Sequence, residues 1–305
     1  NLIASNFSRS GYGFTGWNTE ADGTGTQYGP NQNFTMPSSG GVNLYAQWLA
    51  PTGTLQTWSA TDAADSMNVG DVLALEDDRD GEVYMVAKLA DGNIWITENL
   101  RLVPDSNVTI TPKNTNNPTA DFRSQYPSSM PSTMCHDNNA TCDDSVQYNT
   151  NNINRGLTPS YNTNDDSSSW YSYGVMYNWY TATAGNGTYS ISSGSVNGDL
   201  CPAGWHLPTG GANGEWGALN AAVNNGATNR DTGLRAYPVN IIRSGDYNSL
   251  EGGGTGRGGQ GRIWSTTAYS ATHAYRMGYS ATDASATNKN WNKWDGFAIR
   301  CIYQG

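Results

Sequence analysis

Apolar and polar positions alternate in several short stretches, and this alternation predicts β-strands. Residues 12–17 indicate a strand in which Tyr12 and Phe14 lie two positions apart. A second strand is predicted over residues 42–48, with one apolar face formed by Val42, Leu44, Ala46 and Trp48. The Asp22-Gly23-Thr24-Gly25 sequence between them is typical of a turn. Residues 1–49 therefore predict a small β-unit.

A second pattern begins near Asp71 and contains both strands and helices. Strands are predicted at residues 72–75, 83–89, 94–97, 263–267 and 296–302, and Asp91-Gly92-Asn93 predicts a hairpin turn. Residues 215–223 predict a helix, because Trp216, Leu219 and Val223 share one apolar face. Residues 177–182 predict a shorter helix. Residues 104–170 have no periodicity and predict a long Asn/Thr-rich insertion. Residues 50–69 predict a linker.

Length and composition favour two folded modules with an α+β, β-rich and loop-rich architecture. The chain has 305 residues, of which 36% are hydrophobic and 14% charged, with 11 Trp and 18 Tyr that supply buried area. A net charge of −10 disfavours nucleic acid as a partner, and no apolar run predicts membrane insertion. The first residues do not resemble a signal peptide, so we expect a removed signal or a fragment.

The four cysteines predict disulfide bonds in an extracellular setting. We favour the pairs Cys135–Cys142 and Cys201–Cys301, although four cysteines allow three pairings and the sequence does not decide between them. A zinc site is disfavoured because the usual short Cys-x-x-Cys spacing is absent.

The motifs of residues 1–49 resemble the internalin B-type repeat, also called the Listeria–Bacteroides repeat. Residues 10–19 read SGYGFTGWNT, residues 22–25 read DGTG, and residues 44–48 read LYAQW. The resemblance implies a small β-grasp-like spacer of bacterial surface proteins. An opening strand before Asn1 looks missing, so the repeat is expected to be truncated at its start.

Four blocks of residues 70–305 together resemble the Fibrobacter succinogenes major paralogous domain. They begin at Asp78, Trp95, Cys201 and Trp264, and the block CPAGWHLPT at residues 201–209 is the most specific of them. The resemblance implies a C-type-lectin-like fold, related to the variable proteins of diversity-generating retroelements. It places Cys201 on an early strand and Cys301 on the last one.

Residues that could carry catalysis are few, so we expect no enzyme activity. His206 is expected to be a packed or hydrogen-bonded histidine of the core. A calcium lectin is disfavoured, because Lys293 stands where an acidic ligand would follow Trp291 and Asn292. Weak metal candidates are Asp77, Asp78 and Asp80, for which a β-turn is the simpler interpretation. No cofactor is expected, with calcium as the remaining alternative.

The segment before the last strand is rich in Tyr, Trp, His, Asn, Ser and Thr, a composition typical of antibody binding sites. We predict that this segment binds a ligand and that His273 is a candidate for the interface. The predicted ligand-binding residues are Tyr269, His273, Tyr275, Tyr279, Asp283, Asn288, Asn290, Trp291, Asn292 and Trp294. We expect Tyr275, Tyr279, Asn288 and Trp291 to be exposed on one surface.

The sequence thus predicts an extracellular, surface-displayed adhesion protein whose partner is a protein or glycan on another cell or surface. A further hypothesis is that the binding segment is diversified by a retroelement, because its residue types follow from replacing adenines in Asn codons. An ordinary polar loop is the competing interpretation. The alternative function is a structural subunit of a surface fibre that associates with copies of itself and is glycosylated at sites such as Asn33 and Asn139.

Overall fold

A computed structural model describes residues 9–30, 32, 34–59, 67–102, 174, 176–183, 191–248, 253–256, 258–288 and 291–304. Strands outnumber helices in these ranges, which confirms the predicted β-rich architecture. The long insertion at 104–170, the Cys135–Cys142 pair and Asn290 lie outside the described residues.

A three-stranded antiparallel sheet forms the first unit. Its central strand β1 (Gly13–Asn18) pairs with β2 (Gln27–Tyr28) on one side and β3 (Tyr45–Leu49) on the other. The Phe14 ring lies 5.5 Å from that of Trp17 and 5.2 Å from that of Trp48. These contacts explain why aromatic residues recur in both predicted strands.

A five-stranded sheet follows, in the order β4-β5-β6-β14-β8. Its strands are β4 (Val72–Glu76), β5 (Val83–Lys88), β6 (Ile94–Ile96), β8 (Trp205–His206) and β14 (Ile302–Tyr303). The β5–β6 hairpin turns at Gly92, whose φ of 84° favours glycine. The hairpin predicted from Asp91-Gly92-Asn93 is therefore confirmed.

A four-stranded sheet, in the order β13-β12-β11-β7, carries the C-terminal half of the larger module. Its strands are β7 (Gly194–Ser195), β11 (Gln260–Ala268), β12 (Ala274–Ser280) and β13 (Asp283–Asn288). A separate hairpin consists of β9 (Asp246–Asn248) and β10 (Gly253–Thr255). All pairs in these sheets are antiparallel.

Three helices are described: α1 (Trp179–Ala182), α2 (Glu215–Asn224) and α3 (Thr232–Arg235). The predicted apolar face of α2 packs on the four-stranded sheet, because Trp216 and Leu219 are buried in a cluster with Ile263 and Met277. The helix ends at Asn225, whose left-handed φ of 52° stops the helix from continuing.

Five tryptophans of the described ranges are fully buried, and each of their indole N–H groups has a hydrogen-bond acceptor. Trp205 donates to the Leu55 carbonyl, Trp216 to the Trp264 carbonyl and Trp264 to the Tyr177 carbonyl. The remaining two are Trp95, which donates to Asp91, and Trp179, which donates to the Ser265 carbonyl. Large rings thus supply apolar burial while their N–H groups connect separate elements.

The segment 297–301 lies between the two larger sheets and is bonded to both. The Ile96 and Leu100 amides donate to the carbonyls of Cys301 and Ile299, while the Trp264 amide donates to the Ala298 carbonyl. Cys301 also forms a disulfide with Cys201, with Cα atoms 5.7 Å apart. One of the two disulfide pairs favoured from the sequence is therefore present. It links two cysteines that are 100 residues apart in the sequence.

Residues 51–58 are packed against the five-stranded sheet, so the expectation of a linker is wrong there. The Leu55 amide donates to the Glu76 carbonyl, and the Leu55 side chain is fully buried. The Trp58 ring lies 4.7 Å from that of Tyr303 and 5.9 Å from that of Trp205. Pro51 and Gly53 suggested a linker, but the apolar Leu55 and Trp58 determine the packing.

The first sheet also contacts the five-stranded sheet directly. Gly13 lies against the Met85 side chain, where a methyl group on Gly13 would overlap the Met85 sulfur. Leu49 packs on the cluster formed by Ala74, Val83 and Met85. The two units therefore share a small apolar interface at β4 and β5.

The packed segment before β4 yields a stability prediction. We expect Leu55→Ala to destabilise the protein by about 2–5 kcal/mol, since it empties a fully buried site. Val69→Ala is the matched control, because Val69 is 60% exposed and its truncation should change stability by at most about 0.5 kcal/mol. Chemical denaturation would measure both. Equal effects of the two substitutions would mean that the segment behaves as a linker.

Candidate functional site

The predicted binding segment comprises β12, β13, the hairpin tip before β12 and the loop 291–295. Its side chains do not share one surface. Tyr275 lies against Gly210 and Ser265 on one face of the sheet. Arg276 and Trp291 lie on the other face, beside Phe297. The expectation of a single outward surface is therefore wrong, because successive residues of a strand point to opposite faces.

Tyr279 and Trp294 are buried, with 2% and 7% of their surfaces exposed, so their expected outward display is wrong. Tyr279 packs with Ile263 and Met277 on the face covered by α2, and its hydroxyl donates to the Ile242 carbonyl at 2.8 Å. Burial raises the pKa of Tyr279 to about 12. These two aromatic rings belong to the core, although their neighbours in sequence are polar.

Aromatic and polar side chains form a cluster at the hairpin tip between β11 and β12. Tyr269 is 43% exposed, and its ring meets the ring of the half-buried Tyr275 edge-on at 5.6 Å. Nδ1 of His273 lies 2.6 Å from the Thr272 hydroxyl and 3.2 Å from the Ser270 hydroxyl. Burial lowers the pKa of His273, which favours the neutral imidazole.

The loop 291–295 is fixed to this tip. Asn292 pairs with His273 in an antiparallel bridge, and the Lys293 amide donates to the Thr272 carbonyl at 2.9 Å. The Asn292 amide donates to the Asp295 carboxylate at 3.0 Å. We call the residues of this cluster the display surface; they are Tyr269, Ser270, Thr272, His273, Tyr275 and Asn292.

Lys293, which follows Trp291 and Asn292, points into the protein. Its ammonium group donates to the Ile191 carbonyl at 2.7 Å and lies 4.3 Å from the Trp179 ring centre. Burial lowers the pKa of Lys293 to about 8. The position that would carry an acidic ligand in a calcium lectin thus holds a buried cation.

The remaining predicted binding residues lie on β13. Asp283 is exposed and Asn288 is half-buried, and the Asn288 amide approaches the Asp283 carboxylate at 3.5 Å. Their binding role stays a prediction.

Sequence reasoning missed two buried arginines. Arg262 and Arg276 lie in β11 and β12, with 8% and 7% of their surfaces exposed, beneath Trp291. A signal was present, since both arginines occupy interior positions of strands beside apolar residues.

Asp77, Asp78 and Asp80, considered above as a weak metal site, lie at a turn. Asp77 is fully buried and forms a 2.7 Å ion pair with Arg79, and its carboxylate also accepts a hydrogen bond from Gln56. Asp78 and Asp80 are exposed. Within the described ranges, no three His, Cys, Asp or Glu side chains are grouped so that they could hold a metal ion.

His206 lies in β8 and contacts Glu215, the first residue of α2. Its Nε2 lies 2.7 Å from Oε1 of Glu215, while the other carboxylate oxygen accepts from the Thr209 amide and hydroxyl. Desolvation raises the pKa of Glu215, but the hydrogen bonds from His206 and Thr209 outweigh it and leave the pKa below its usual value. The CPAGWHLPT block therefore anchors a helix to β8.

Comparison with known proteins identifies the first unit. Residues 1–47 match the model of the Listeria–Bacteroides repeat domain. This part of the chain is therefore similar to a Listeria–Bacteroides repeat. The match covers the aromatic strands of the first sheet and ends within β3.

The chain is also similar, over short segments, to two proteins of Evansella cellulosilytica. One, named "Putative membrane protein", is 47% identical over 47 residues, or 15% of this chain and 7% of that protein. The other, named "Putative Gly-rich membrane protein", is 55% identical over 40 residues, or 13% of this chain and 4% of that protein. The chain thus covers under a tenth of either relative.

No solved structure matches the chain. In the part of the chain that the structure describes, no helix is both long and apolar enough to cross a membrane.

The Glu215 contacts yield a pH-dependent prediction. Because the folded-state pKa of Glu215 is lowered, its charge stabilises the fold above the unfolded-state pKa of about 4.3, and this stabilisation is lost as pH falls through the folded-state value. We expect Glu215→Gln to lower the melting temperature at pH 7, and the difference from the natural chain to narrow below pH 4. Glu20→Gln, at an exposed position of the repeat, is the control. A difference that is constant with pH would contradict the role of the charge.

Proposed function

We propose that this chain belongs to an extracellular bacterial surface protein whose larger module binds a ligand through the display surface. The observation that carries the proposal is the contact between the exposed Tyr269 and the half-buried Tyr275. This pair lies at a hydrogen-bonded hairpin tip, beside the polar side chains of Ser270, Thr272, His273 and Asn292. Paired aromatic rings offer contact area at low entropic cost, and hydroxyl, amide and imidazole groups offer adaptable hydrogen bonds.

Rigidity supports this role. The tip is closed by hydrogen bonds from the Tyr269 and Ser270 amides to the His273 carbonyl, and it is bonded to the loop 291–295. Strand β11 below it is joined to the segment 297–301, which carries the disulfide. Binding groups that are already ordered lose less conformational entropy when a ligand arrives.

The proposed fold of the larger module is C-type-lectin-like, as in the Fibrobacter succinogenes major paralogous domain. Three features support it. An early strand and the last strand pair in one sheet, as β6 and β14. The CPAGWHLPT block leads from the disulfide through β8 into α2. A second sheet carries the display surface.

The proposed location is the cell surface, with a protein or glycan of another cell or surface as partner. Two observations support this location: residues 1–47 match the Listeria–Bacteroides repeat model, and the chain is similar over short segments to two proteins named as putative membrane proteins. The net charge of the chain, −10 at pH 7, supports a partner other than nucleic acid. We propose a binding role and not a catalytic one, since His206 is engaged with Glu215 and its helix.

Diversification remains part of the proposal only for exposed and half-buried positions. Tyr269 is exposed, and His273 and Asn292 are half-buried, so we expect them to change without disturbing the core, unlike the buried Tyr279 and Trp294. A near-identical copy of the coding segment beside a reverse transcriptase gene, differing at adenines of the exposed positions, is the expected observation. A copy that differs mainly at the codons of Tyr279 and Trp294 would contradict it.

The binding proposal is tested by paired tyrosine substitutions. Tyr269→Ala should weaken binding in a glycan-array and cell-binding screen by at least about tenfold, since it removes an exposed aromatic contact. Tyr45→Ala is the matched control, because Tyr45 is similarly exposed, at 39%, but lies on the repeat. Equal binding by both variants would contradict the proposal. Binding only between copies of the chain would favour the fibre subunit instead.

A further inference from the structure

Two arginines lie side by side under Trp291 on the face of the sheet opposite Tyr275. Arg262 in β11 pairs in register with Gly278, and Arg276 in β12 pairs with Trp264. The guanidinium carbons of Arg262 and Arg276 lie 4.0 Å and 5.6 Å from the Trp291 ring centre. Both also lie within 5.8 Å of the Phe297 ring centre. The pair therefore places two positive charges in a largely apolar, aromatic setting.

The two arginines differ in their hydrogen-bond partners. Arg262 forms an ion pair with Asp246, whose carboxylate also accepts a hydrogen bond from Gln260 at 3.1 Å. Nε of Arg276 is buried and donates no hydrogen bond. Asp283 and Asp295 attract Arg276 electrostatically, but neither accepts a hydrogen bond from it among the described contacts. Arg276 thus keeps unused donor capacity at a buried site.

The surroundings of Arg276 disfavour its charged form. Burial, and then repulsion by Arg262, lower the pKa of Arg276 to about 9, so the side chain is still charged at pH 7. A buried charge with unsatisfied donors is unfavourable for folding. Such a cost is typical of a functional group that is completed by a ligand.

The side chains of Arg276 and Asn288 converge above Gly278. Nη1 of Arg276 and the Asn288 side-chain amide nitrogen both lie over Gly278, so that a methyl group on Gly278 would overlap them. The rim of this pair is formed by the exposed Asp283 and the half-buried Ser285 and Asn288. Two side-chain donors therefore meet beside the edge strand β13.

We propose that Arg276 binds the carboxylate group of an acidic sugar or peptide, with the Asn288 side-chain amide as a second donor. A guanidinium presents parallel N–H donors that match the two oxygens of a carboxylate, and a carboxylate is purely an acceptor. A single charge suits the site better than a multiply charged phosphate, because Asp283 stands at the rim and the chain carries −10 overall. This inference goes beyond the proposed function, because Arg276 lies on the sheet face opposite Tyr275 and is not part of the display surface.

Calorimetry on the full chain with small probes tests the inference and separates two sources of carboxylate. Sodium glucuronate is compared with glucose for an acidic sugar, and N-acetylglutamate amide with N-acetylglutamine amide for an acidic peptide. We expect one or both carboxylates to bind, their neutral counterparts not to bind, and inorganic phosphate to bind more weakly. Absence of binding by both carboxylates, or tighter binding of phosphate, would overturn the inference.

Three variants link the binding to Arg276. Arg276→Met should abolish carboxylate binding and raise the melting temperature without ligand by about 2–4 °C, because it replaces an unsatisfied charge by an apolar side chain. Arg276→Lys should weaken binding at least about tenfold, because it keeps the charge but loses the paired donors. Arg230→Met, at an exposed position, should change neither property.

The two proposals can fail separately. Unchanged carboxylate binding in Arg276→Met, or a lower melting temperature of that variant, would overturn the carboxylate site alone. If Tyr269→Ala still removes cell binding in that case, the display surface stands and its ligand is recognised by other groups. Carboxylate binding that persists while Tyr269→Ala leaves cell binding intact would support Arg276 and contradict the display surface.

Discussion

The hydrogen-bonded segment 297–301 is the constraint on which the larger module depends. Its carbonyls accept from Ile96 and Leu100 on the five-stranded side and from Trp264 on the four-stranded side. The disulfide to Cys201 then fixes the same segment to the start of the CPAGWHLPT block. This stretch of chain thus joins the two sheets, together with the apolar cluster that contains Trp95, Trp216 and Ile263.

The same constraint explains how the candidate site is divided. With β11 held by Ala298, one face of the four-stranded sheet must pack on α2 and the other faces Phe297. Tyr279 therefore becomes core, and Arg276 is placed beside Phe297 and Trp291. The display surface lies at the hairpin tip between β11 and β12, where Tyr269 is exposed. A buried arginine next to an outward aromatic cluster is a consequence of strand alternation in a sheet that is packed on both faces.

Much of the fold could be predicted from local patterns. The spacing of aromatic residues predicted β1, and the apolar run from Val83 predicted β5. The spacing of Trp216 and Leu219 predicted α2, because the helix buries that face. Residues 51–58 were misjudged because Pro and Gly are local signals, whereas the packing of Leu55 under Trp205 depends on residues far away in sequence. Strands β12 and β13 were not predicted, since Ser, Thr and Asn conceal the apolar face formed by Met277, Tyr279, Ala284 and Ala286. Tyr275 is half-buried and Tyr279 is buried because of their positions in β12, which packs against α2. The polar composition of this segment does not reveal that contact.

Hydrogen exchange at three amides tests the shared segment most directly. The account predicts that the amides of Ile96, Leu100 and Trp264 open only together, with a single free energy equal to that of global unfolding. They should also lose protection together when Cys201 and Cys301 are both replaced by serine. Exchange of Trp264 at a lower free energy than Ile96 and Leu100, in the native chain, would mean that the two sheets open independently and would contradict the account.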